Sequence, residues 1–89
     1  MQNMVELLDA REKTHGEYAN VARVSQILKS DFRYYGVKYE KLRMAQKEAL
    51  DMIASKIARI LSGDPDEIEH WRDIAGYAQL VARELEAEK

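Results

Sequence analysis

Four side chains able to ligate a cation stand in two pairs, each three residues apart: Glu48 with Asp51, and His70 with Asp73. On a helix that spacing puts both members of a pair on one side, about one turn apart. If the two helices run antiparallel, three carboxylates and an imidazole converge on one cleft, where they repel one another unless a cation joins them. Oxygen-rich sets of this kind suit magnesium or manganese. Such an ion neutralises phosphate oxygens and activates a bound water for in-line attack on a phosphoanhydride. Glu48, Asp51 and Asp73 are therefore the candidate catalytic groups, and Glu48, Asp51, His70 and Asp73 the candidate metal ligands.

A plain structural reading stands beside each pair. Glu48, Asp51, Ser55 and Arg59 form a polar ribbon opposite Ile53 and Ile57, which is also what a solvated face with an Asp51–Arg59 ion pair would look like. Asp73 lies on the same side as Ile74, Leu80 and Val81, where a bare carboxylate is costly to bury. It reads equally as an acceptor for Tyr77, Trp71 or a basic residue of a neighbouring helix, with His70 a half-exposed helix residue.

Further residues are of the type that holds a nucleotide. Lys56 and Arg59, and more distantly Lys47, can meet phosphate charge. His15 and Tyr18 flank Gly16 at a helix start, where free backbone amides receive an anion and the Tyr18 ring can stack on a base. Tyr77, one turn from Asp73, joins this set. The cluster Phe32, Tyr34, Tyr35 and Tyr39 reads as packing or a subunit contact rather than a base platform.

The elements that must position these groups are all helical. Residues 1–11 have Met4, Leu7, Leu8 and Arg11 at helical spacing, ending in a break over residues 12–16, where Thr14 is a candidate N-cap with Glu17 in the capping-box position. Residues 17–34 place Val21, Val24, Ile27, Leu28 and Phe32 on one face, and Gly36 is expected to close that helix in the left-handed conformation. Residues 39–61, free of Gly and Pro, predict the longest helix, with Leu42, Leu50, Ile53, Ile57, Ile60 and Leu61 as its apolar face. Gly63 then ends it, Asp64 caps the next and Pro65 opens a last helix to about residue 86, with Trp71, Ile74, Ala78, Val81 and Leu85 inward. The expected fold class is all-α: three long helices plus a short N-terminal one, a single domain over residues 1–89.

Composition narrows the functions. The chain has 89 residues and no cysteine, which excludes thiolate catalysis and Cys-rich zinc sites. A net charge of -2 argues against a broad basic face for nucleic acid. No apolar window approaches a membrane span and no signal peptide is indicated, so the expected setting is cytoplasmic. A chain this short buries only a modest fraction of its surface alone, and self-association is expected.

Taken together, Glu48-x-x-Asp51, eighteen intervening residues and His70-x-x-Asp73 resemble the two-helix metal signature of the all-alpha nucleotide pyrophosphohydrolases typified by MazG. The wider pattern THGEY, KIARIL and HWRDIAGYAQL looks like small phage and prophage proteins placed near that superfamily, over about residues 11 to 82. The resemblance implies that Glu48, Asp51 and Asp73 are acidic ligands for magnesium, with His70 standing where the signature has a glutamate. It implies cleavage of a nucleoside triphosphate to monophosphate and pyrophosphate, or a degenerate relative that kept nucleotide binding, in a helical bundle completed as a homodimer or homotetramer. The competing expectation is a small helical phage or host-interaction protein without chemistry.

Overall fold

The computed structural model describes residues 3–89. Asn3 opens helix α1 (Met4–His15): its Oδ1 accepts the Glu6 N–H at 2.8 Å, and the Glu6 carboxylate returns to the Asn3 N–H at 3.4 Å. These reciprocal bonds satisfy two of the amides a helix start leaves free. The helix runs four residues past its expected end, to His15, and Thr14 therefore lies inside it rather than capping α2. Gly16 stops it with φ at +88°, a conformation that glycine adopts freely. The part of the first expected helix over residues 1–2 lies outside the described residues.

Helix α2 (Tyr18–Tyr35) starts behind Glu17 without a side-chain cap. At its end Gly36 has φ of -75°, not the expected left-handed value, because the chain continues directly into a single 3-10 turn, Tyr39–Lys41. The long helix expected over residues 39–61 is thus divided. Leu42 and Arg43 are extended, the Arg43 N–H donates to Gln46 Oε1 at 2.9 Å, and helix α3 spans Met44–Ser62. Asp64 caps a turn instead of a helix, its Oδ1 accepting the Asp66 N–H at 2.9 Å and its carbonyl the Glu67 N–H at 3.2 Å. Helix α4 consequently begins at Ile68, three residues after Pro65, and ends at Ala87. Among the described residues every regular element is helical.

Helix α3 is the axis of the assembly. Towards α2 it turns Asp51, which meets Arg33, and Ser55, which meets Ser25 Oγ at 3.3 Å. Towards α4 it turns Lys56, which meets Asp73. On a helix of about 100° per residue these directions are well over a quarter-turn apart, and α2 and α4 pack on α3 without comparable packing on each other. The three helices form one layer. Its seams are small: the buried residues of α3 are Ala49, Ala54 and Ala58, so the backbones approach closely where large side chains were expected. Trp71, expected inward, is 54% exposed. The radius of gyration is 15.2 Å, against about 12 Å for a compact domain of this length.

Two glycines give a direct test. A Cβ on Gly16 would stand 2.5 Å from the Ser62 carbonyl in a left-handed backbone, whereas one on Gly76 in α4 meets nothing within 4 Å. Gly16→Ala is expected to destabilise by about 2 kcal/mol or more and Gly76→Ala to stabilise by roughly 0.5–1 kcal/mol. Urea unfolding of both variants measures the contrast.

Candidate functional site

The α1–α2 junction crosses the α3–α4 junction at van der Waals distance. Just as Gly16 admits Ser62, a Cβ on Gly63 would lie 2.5 Å from the Thr14 carbonyl oxygen. That oxygen is the anchor: it accepts the Asp64 N–H at 3.1 Å and the ring of His70, through Nε2, at 2.8 Å. Because a carbonyl only accepts, Nε2 of His70 carries the proton. His70 is 2% exposed, not the half-exposed residue of the plain reading.

His15 stands against this anchor. Its ring packs edge-to-face on that of His70, centroids 4.9 Å apart, and its Nδ1 lies 2.6 Å from Thr14 Oγ1. Burial pushes the His15 pKa below its ordinary 6.5, and the positive charge of Arg59, His70, Arg11 and Lys56 pushes it the same way. Four cationic or ionisable groups from three helices therefore act on one imidazole. Asp73 is held below its ordinary 3.8 chiefly by the hydrogen bond from Lys56, whose Nζ sits 2.9 Å from its carboxylate; desolvation opposes this, and the charges of Lys56, His70 and Arg59 add to the lowering.

In front of His15 a cleft of about 280 Å³ opens between α1, the start of α2 and α3. Arg11, Glu12, His15, Tyr18 and Arg59 supply its polar lining, and Leu8 and Val21 its apolar walls. Among the described residues neither Arg11 nor Arg59 has a carboxylate within salt-bridge distance. A guanidinium without an acidic partner, beside another of its kind, is a receptor for a planar or tetrahedral oxyanion.

Three of the residues expected to hold a nucleotide, His15, Tyr18 and Arg59, are thus brought together, with Lys56 behind them on Asp73. Tyr77 is not among them: it lines a separate groove with Glu48, Leu80 and Glu84. The four expected metal ligands do not converge either. The turn between α3 and α4 sets Lys56 beside Asp73, which places Asp51 about 7 Å and Glu48 about 12 Å further along the axis at 1.5 Å per residue. Asp51 Oδ2 is taken by Arg33 at 3.3 Å, leaving Oδ1 buried without a partner. Asp51 pairs with α2 and not with Arg59. His70 donates to Thr14, and Asp73 receives Lys56, the basic neighbour that the plain reading of that carboxylate expected. Among the described residues no three His, Asp or Glu side chains are grouped to hold a metal ion, so these four do not fit a magnesium cage within one chain.

Sequence reasoning missed Arg11 as a site residue. The apolar spacing of residues 1–11 ends at Arg11, but the helix continues to His15, so Arg11 and His15, four residues apart, share a face. Comparison of the chain with family models, with curated proteins and with solved structures finds no match. Among the described residues no helix is long and apolar enough to cross a membrane.

The depressed His15 value makes stability depend on pH. Between the folded value and 6.5 the unfolded chain binds more protons than the folded one, so stability rises with pH across that window. The contribution is complete above 6.5 and is lost as pH falls through the window; that of Asp73 is present above 3.8 and is lost as pH falls through its lowered folded value. Urea midpoints measured at about pH 7.5 and about pH 5.5 are expected to fall in the wild type and to fall less in His15→Gln.

Proposed function

We propose that this chain binds a nucleoside phosphate in the α1–α2–α3 cleft, as a small all-α relative of the MazG-like pyrophosphohydrolases working as a homodimer or homotetramer in the cytoplasm. The observation that carries this reading is the pair Arg11 and Arg59, two guanidinium groups without acidic partners among the described residues, facing a cleft that also holds an aromatic ring and an imidazole. The guanidinium groups take phosphate oxygens by paired hydrogen bonds. Tyr18, at the rim and largely exposed, offers a face on which a base stacks. Leu8 and Val21 offer apolar surface beside them.

Magnesium or manganese would be brought by the nucleotide rather than held by a side-chain cage of this chain, and would supply neutralisation of phosphate charge. Of the residues proposed from the sequence as catalytic, Asp51 is paired with Arg33 and Asp73 with Lys56, while Glu48 lines the separate groove beside Tyr77, so binding is the part of the function that the geometry supports best. A second reading, a helical interaction protein without chemistry, is favoured by the open apolar side of the helical layer.

Calorimetric titration with nucleoside triphosphates, with and without magnesium or manganese and with pyrophosphate measured afterwards, separates these readings. Binding is expected to weaken at least tenfold in Arg59→Gln, the loss of a charge-assisted hydrogen bond worth about 1.5–3 kcal/mol. Pyrophosphate release would make the chain an enzyme. No binding by any triphosphate in the panel would overturn the nucleotide reading and leave the interaction protein.

A further inference from the structure

One side of the α3–α4 pair is largely apolar and has no other helix packed on it. Leu50 and Arg59 are nine residues apart on α3, about 180° around the helix, so the cleft side and the Leu50 side are opposite. The Leu50 side continues through Ile57 and Leu61 on α3 and through Trp71 and Ala78 on α4. Leu61 is 69% and Leu50 38% exposed. Between the helices the same side is hollowed into a groove of about 330 Å³ walled by Leu42, Leu50, Ile53, Ala78 and Val81, with Gln46 its one polar side chain.

The exposed area is larger than a folded chain of this mass should leave. The chain has 6807 Å² of accessible surface, while a compact monomer of 10.3 kDa exposes roughly 5,400 Å². The excess, about 1,400 Å², is shared with α1, which buries no residue, and still leaves room for the roughly 800 Å² that each partner contributes to a standard stable interface. Domains close a core by packing two layers, and this chain supplies one.

We propose that the second layer is another copy of the same chain, packed on the Leu50–Leu61–Trp71 side about a two-fold axis. This rests on the oligomeric part of the function proposed above and adds which surface is used. A two-fold interface must be self-complementary, and a face of leucine, alanine and one tryptophan, nearly free of charge, meets that condition without pairing like charges. The two anion clefts then lie on the outer surfaces of the dimer, each complete within its own chain.

Light scattering is expected to give twice the 10.3 kDa chain mass for the wild type. Leu50→Glu is expected to be monomeric while keeping its helical circular dichroism and its titration with triphosphate, and Leu80→Glu, on the other side of the layer, to remain a dimer. The chain has one tryptophan, so a variant-free readout exists as well: on dilution Trp71 emission should shift to the red as the mass falls. A wild-type monomer at every concentration would overturn both the oligomer and this face. A dimer that survives Leu50→Glu, that Leu80→Glu breaks, or whose dissociation leaves Trp71 emission unchanged would overturn the face alone.

Discussion

The carbonyl oxygen of Thr14 holds the molecule together at its crossing point. It receives two donors from the far side of the chain, the Asp64 amide and the His70 ring, and both arrive because Gly16 and Gly63 let the two junctions approach without side chains between them. Without that contact α1 would have little to fix its direction, since it touches the rest of the chain mainly at its C-terminal end. The ring of His15, and with it the open cleft, is oriented by the same crossing. A buried hydrogen bond to a ring that is 2% exposed is also one that water cannot easily replace.

The helical character of the chain was legible because it depends on local chemistry: periodic apolar positions, glycines at breaks and good helix formers between them. Boundaries were less so. Leu42 and Arg43 contain neither Gly nor Pro, yet the helix is interrupted there, since the buried Tyr39 ring, flanked by the Arg33 and Lys47 cations, fixes the turn before it. Arg11 gave no signal of its own. Its role follows from α1 continuing through Thr14, and a threonine inside a helix looks in sequence much like one capping the next.

The pairs of acidic residues show a different limit. Spacing within each helix puts Glu48 with Asp51, and His70 with Asp73, on one side of its own helix, but what meets across two helices is set by the turn joining them. That turn brings Lys56 to Asp73 and carries Glu48 past to Tyr77 and Glu84. His15, Tyr18 and Arg59 came together because the tight HG junction leaves little freedom in where the next helix begins. The cationic surroundings of His15 were invisible beforehand, being assembled from α1, α3 and α4 at once.

The small residues between α2 and α3 have a consequence for how the chain folds. Ser25, Ala54 and Ala58 are all buried, so this seam forms by bringing two neighbouring helices into backbone proximity over a short connection. Contacts so near in sequence form early, whereas the Thr14–His70 bond joins residues 56 apart and needs a larger loop to close first. Helix α1 therefore docks last, onto a hairpin already made, and the cleft that it walls is the final part of the molecule to take shape.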